Sequence, residues 1–156
     1  MKKEIQSIIQ KIEEVNSGQP WFGKPVYGIL EEVNTKKVYL RPNDTEHSMI
    51  ELIYHMITWT DFTLKRIEKD PDMDLAAFEK MDWRLINPKV HTWNKGLAEF
   101  RSIQKKILRT LKKKDDAFLK EMVDFRKYNY HFLLHGMIEH NIYHLGQIAY
   151  LNKMLA

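Results

Sequence analysis

A chain of 156 residues, 44% hydrophobic and 29% charged, has the size and composition of one globular domain, able to bury on the order of 70% of its unfolded surface. It contains no cysteine, which excludes disulfides, zinc-thiolate sites and a cysteine nucleophile together and leaves any metal to nitrogen and oxygen ligands. The formal charge of +4 raises nucleic acid as a partner, but much of the excess lies between residues 105 and 114, where it reads as the cationic last turns of a helix. No aromatic-rich RNA motif, zinc finger or helix-turn-helix accompanies it, so nucleic acid is not the expected partner.

The opening Met1-Lys2-Lys3-Glu4-Ile5-Gln6 mixes polar and apolar residues at helical spacing, unlike a signal peptide. No stretch approaches the roughly 18 apolar residues of a membrane span. A soluble, cytoplasmic protein with one domain over 1–156 is expected.

Periodicity then points to helices nearly throughout. Ile5, Ile8, Ile9, Ile12 and Val15 place a helix at 3–16, stopped by Asn16-Ser17-Gly18. A turn through Pro20 and Gly23 leads to a short helix around Tyr27 to Val33, and residues 36–42 read as irregular or briefly extended. Asp44 or Thr45 is the expected cap of a long helix from about Glu46 to Lys69, which Asp70-Pro71 ends. Residues 72–86 form a loop, with one helical turn available between Leu75 and Met81. Asn87-Pro88 reads as a cap with proline at the first helical position, opening a helix to about Lys113. Asp115-Asp116 restarts a short helix to Met122, Val123 to Lys127 is a break, and the last helix runs from about Tyr128 to Met154. Four substantial helices predict an all-α four-helix bundle.

The last helix carries four histidines in two sets. At about 100° per residue, His140 and His144 lie about 40° apart on a face shared with Leu133, Met137, Gln147, Ile148 and Leu151. His131 and His135 lie on the opposite side, beside Leu134, Ile138 and Ile142. Both sides are apolar, so the second is expected to pack on a neighbouring element or on a second copy of the chain. Two imidazoles one turn apart can share a metal ion, and the strongest candidate for a third ligand is His55. That residue is inward on the helix 46–69, with Ser48, Glu51, Leu52, Trp59 and Phe62 on the same face. A core histidine bonded to a carbonyl or a tyrosine is the competing reading of each ring taken singly. His47 reads as a surface or entry residue, and His91 has no evident role.

The His-Glu-x-x-His pattern is absent, because asparagine follows His140, and no glutamate stands three residues before any histidine, as di-iron bundles require. What remains is a mononuclear three-imidazole centre with a fourth position open to water or substrate. Glu51, Tyr143 and Gln147 are the candidates for a base or for groups supporting the ligands. Their alternative readings are a surface carboxylate, a packing aromatic and an interhelical hydrogen bond. Trp59 and Phe62 are candidates for a pocket wall, or simply for core.

The segments Leu52-Ile53-Tyr54-His55-Met56-Ile57-Thr58-Trp59 and Glu139-His140-Asn141-Ile142-Tyr143-His144-Leu145-Gly146-Gln147-Ile148 resemble the DinB-like family, also called YfiT-like metal enzymes. Pro20-Trp21-Phe22-Gly23 is similar to the family's turn after its first helix. The resemblance spans nearly the whole chain in order and spacing, and its last motif is the specific one. It implies a four-helix bundle with a long crossover connection, a divalent ion held by His55, His140 and His144, and a homodimer. Zinc or nickel is the expected ion, with cobalt, iron, copper and manganese also compatible with the ligands. Relatives include transferases of low-molecular-weight thiols, isomerases and hydrolase-like proteins. Two classes of function follow: a metal-dependent enzyme that activates a thiol or water against a small molecule, or a non-catalytic dimeric bundle that binds a metal or ligand.

Overall fold

Among the described residues seven helices form, the long ones where the sequence holds an apolar period. The computed structural model describes residues 1–155. The helices are α1 (Lys3–Ser17), α2 (Val26–Glu31), α3 (Met49–Glu68), α4 (Leu75–Lys80), α5 (Trp93–Leu111), α6 (Asp116–Lys120) and α7 (Tyr130–Met154). Among the described residues there is no strand, and one isolated bridge joins Met122 to Asn129. Among them, too, no helix is long and apolar enough to cross a membrane.

The four long helices form a bundle in which α3 packs on α5 and α7, and α1 packs on the same two from the opposite corner. The core runs through the middle, with Ile5, Ile12, Ile53, Phe100, Ile107 and Ile148 buried from all four. α1 shows how connections reinforce it. Lys2 offers its N-terminus no side-chain cap, and Asp116 at the start of α6 accepts from the backbone N–H groups of Lys3 (3.0 Å) and Ile5 (2.9 Å) instead. A carboxylate there also meets the positive end of the helix dipole.

Two helix starts differ from the sequence expectation. α3 begins at Met49, not near Glu46, because Asn43 Oδ1 accepts from the N–H groups of Thr45 (3.0 Å) and Glu46 (2.8 Å) and holds them in a turn. Ser48 and Glu51 then make a reciprocal capping box. α5 begins at Trp93 under a Thr92 cap, whereas Asn87-Pro88 opens only a single turn in which Asn87 O accepts from Val90 and His91. Local capping chemistry existed at both places, and the later cap is the one from which the helix propagates.

α7 is apolar on both sides, as its sequence requires, and its second side is covered within the chain. Leu134 and Ile138 are buried, and α7 packs on α1, α2 and α6 as well as on α3. His131 on that side contacts Glu4 of α1 through Nε2 at 3.2 Å. A neighbouring element therefore suffices for this face.

The α3–α5 contact depends on one glycine. A Cβ on Gly96 would lie 3.1 Å from Tyr54 Cε2 and 3.4 Å from Ile53 Cγ2. Gly96→Val should lower the free energy of unfolding by about 1–3 kcal/mol through overpacking. Urea denaturation checks this, and an unchanged midpoint would mean that the two helices are not held this closely.

Candidate metal centre

α3 and α7 bring three imidazoles together. His55 and His144 are both 7% exposed, and His140 is half-buried. His55 Nε2 lies 3.0 Å from His140 Nε2, and the ring centroids of His144 are 4.6 Å from those of His55 and 4.5 Å from those of His140. Each ring offers one nitrogen, and the three lie within 4.8 Å of one another.

The rings are oriented from behind. Asp82, in the loop after α4, places Oδ1 2.8 Å from His55 Nδ1, and its backbone carbonyl lies 3.2 Å from the same nitrogen. Trp59 Nε1 donates to that Oδ1 at 2.6 Å and fixes the carboxylate. A carboxylate only accepts, so Nδ1 of His55 carries the proton and Nε2 is left with its lone pair. On α7, Gln147 Oε1 accepts from His144 Nδ1 at 2.6 Å, with the same consequence for His144. Two ring nitrogens facing each other at 3.0 Å require a proton or a cation between them, which is the relation of His55 and His140.

Burial lowers the pKa of all three rings. For His55 it outweighs the upward pull of Asp82, and for His144 that of Gln147. His140 is pushed down to about 4 by burial and by the neighbouring His144 and His55. Neutral imidazoles with free Nε2 lone pairs are the form that binds a metal. The donors, three nitrogens of which two belong to rings with oriented supports, thus fit a borderline divalent ion.

The remaining candidates have different positions. Glu51 sits at the start of α3, where Oε2 accepts from Ser48 N–H (2.8 Å) and from Arg41 Nε (3.0 Å). Burial alone would raise its pKa, but the hydrogen bonds from Arg41 and Ser48 bring it down to about 2. Among the described residues no hydrogen bond or ion pair links it to His55, His140 or His144, and its nearest imidazole is His47, 3.5 Å away. Tyr143 is 65% exposed, its ring edge-on to His144 at 4.9 Å. His91 Nδ1 accepts from Asn87 N–H at 2.9 Å and holds the turn before α5.

Asp82 and Trp83 contact the candidate centre, and periodicity does not reveal them. Trp83 stacks on His55 with centroids 3.9 Å apart and on His47 at 3.6 Å, so His47 belongs to the wall of the site. The one signal in the sequence is an acidic, aromatic and basic run, Asp82-Trp83-Arg84, inside a loop otherwise read as a connector.

Two cavities reach the imidazoles. One of about 420 Å³ is lined by His144 with His47, Trp83, Tyr143 and Gln147. The other, of about 300 Å³, is lined by His140 with Trp59, Phe62 and Arg126. Trp59 and Phe62 do wall a pocket.

The sequence model of the DinB superfamily matches residues 26–148, which include α2 to α7 up to Ile148 and all three histidines. No curated protein matches the chain.

Glu51 links stability to acid. The unfolded carboxyl takes up its proton near 4.5 and the folded one near 2, so its contribution is complete above 4.5 and disappears as the pH falls from there towards 2. Glu51→Gln should flatten the decline in unfolding free energy over that interval relative to the parent. Parallel acid titrations of the two proteins by circular dichroism, each with urea denaturation at every pH, check this. Identical slopes would mean that Glu51 is not held as described.

Proposed function

This chain belongs to the DinB superfamily, and from its three-imidazole centre we propose that it is a divalent-metal-dependent enzyme acting on a small molecule. The reaction class is thiol S-transfer or a hydrolase-like reaction, and the ion is zinc or nickel. When bound, such an ion supplies Lewis acidity, which lowers the pKa of a thiol or a water into the neutral range. His55, His140 and His144 would hold it.

The protein's own groups then have defined tasks. Asp82 Oδ1 keeps the proton of His55 on Nδ1, and Gln147 Oε1 does the same for His144. Trp83 covers the face of His55 and keeps water from its flank. Glu51 secures the start of α3, two turns before Trp59, and through it the register of His55. Tyr143 and Gln147 stand at the mouth of the larger cavity, where they would meet a substrate.

The observation that carries this reading is the pair of supported Nδ1 atoms, because a merely structural histidine cluster has no need to aim free Nε2 atoms at one point. The two cavities favour transfer between two substrates, since each reaches a different member of the histidine pair. A homodimer is part of the proposal.

Elemental analysis of purified protein should find close to one ion per chain, lost in His55→Ala, His140→Ala and His144→Ala while circular dichroism shows the helices kept. Asp82→Asn should weaken zinc affinity by about 10- to 100-fold without removing a ligand. Activity towards a chromogenic electrophile should require both metal and added thiol. Turnover of an ester without thiol would assign hydrolysis instead. Metal-free protein whose variants only lose stability would contradict the enzyme reading and support a non-catalytic bundle.

A further inference from the structure

The smaller of the two cavities differs from the larger in holding a guanidinium. It is bounded by Trp59, Phe62, Tyr128, Phe132 and Met137, with His140 in its wall and Arg126 as its one formal charge. Arg126 lies over the Phe62 ring with Cζ 5.5 Å from the centroid. Among the described residues no carboxylate forms an ion pair with it, and its Nε is buried without a hydrogen-bond partner. Arg66 stands over the same ring at 5.2 Å, buried and also without an ion pair. Arg41 and Arg101 have acidic partners, whereas Arg84 and Arg109 share with Arg126 the lack of an ion pair among the described residues; what sets Arg126 apart is its place in the wall of an aromatic cavity. Positive charge without a counter-charge, among aromatic rings, is an arrangement that needs an explanation.

The backbone adds a second, independent observation. Val123 N–H donates to Tyr128 O at 2.9 Å and Arg126 N–H donates to Val123 O at 3.0 Å, closing a tight loop between α6 and α7. At its tip Phe125 adopts φ 58, a left-handed conformation disfavoured for a residue with a side chain. Its ring gains nothing in return, being 93% exposed. The side chain that follows this turn, Arg126, lines the cavity.

We infer that this cavity recognises a small monocarboxylate with an aromatic or alkyl body. Arg126 holds the carboxylate through its planar pair of N–H donors, the aromatic walls hold the body, and the end remote from Arg126 reaches His140. That the end at His140 is the reacting one rests on the proposed function; the carboxylate preference stands on the cavity alone. Arg66 does not line the cavity, so Arg126 is its one lining cation and matches a monoanion, whereas a phosphate dianion would leave charge uncompensated against aromatic rings. The volume lies at the small end of ligand pockets, which suits a compact acid.

The test uses the full chain, titrated by calorimetry with 3-phenylpropionate and with the uncharged 3-phenylpropionamide of the same shape. The carboxylate should bind about ten-fold or more tightly than the amide, the ratio expected for one charge-assisted pair. Arg126→Gln should abolish that preference while leaving amide binding within about two-fold, and Arg126→Lys should restore part of it. Gly136 also lines the cavity, and a Cβ there meets nothing within 4 Å, so Gly136→Leu should fill the space and stop both ligands binding with the helices intact.

Zinc-loaded and chelator-treated protein should show the same preference. Equal binding of the two ligands by the parent, a preference that survives Arg126→Gln, or tighter binding of phenyl phosphate would overturn the inference. A preference seen only with zinc and indifferent to Arg126→Gln would also overturn it, because the carboxylate would then be sitting on the metal. Stoichiometric metal with no carboxylate preference defeats this inference and leaves the enzyme reading standing. Carboxylate preference in a chain that takes up no metal does the reverse.

Discussion

Three imidazole rings can be buried between two helices only if every inward ring nitrogen has a partner. In this bundle the constraint falls on the contact between α3 and α7. One residue of slippage along α7 would turn His140 and His144 by about 100° and take both away from His55. The register is secured at several levels: the Ser48–Glu51 capping box at the start of α3, the hydrogen bonds between Thr60 and Asn141, and the Tyr130 hydroxyl donating to Arg66 O at 3.0 Å. The Thr60–Asn141 contact is wholly buried and lies beside His140, so polar residues that look out of place in a core serve to align the two helices.

Loops supply what the helices cannot. The rigid pair α3 and α7 provides the three ring nitrogens, and the segment between α4 and α5 provides Asp82 and Trp83, which orient and shield one of them. The segment between α6 and α7 provides Arg126. Loop residues thus orient His55 and line both cavities, whereas Gln147, on α7 itself, orients His144.

The long helices and the three histidines were legible because both follow helical period, and a period of 3.6 residues converts directly into faces. The separation of His131 and His135 from the other pair came from the same arithmetic. Helix starts were less legible: Asp44, Thr45 and Asn87-Pro88 all carry capping chemistry, and only hydrogen bonding in three dimensions selects Ser48 and Thr92. Asp82 and Trp83 were not legible, since a loop has no period and their partners lie 23 to 36 positions away in the chain. Glu51 stands one turn before His55 on α3, and its hydrogen bonds go to Ser48 and Arg41. Its contact with the three histidines is therefore indirect, through His47 at 3.5 Å, a relation that helical spacing alone does not reveal.

X-ray absorption on the zinc-loaded chain measures the central claim most directly. The account predicts a first shell of nitrogen and oxygen at about 2.0–2.1 Å with outer-shell scattering from three imidazoles, falling to two in His55→Ala. A shell with fewer than three imidazoles in the parent, or one unchanged by His55→Ala, would contradict it.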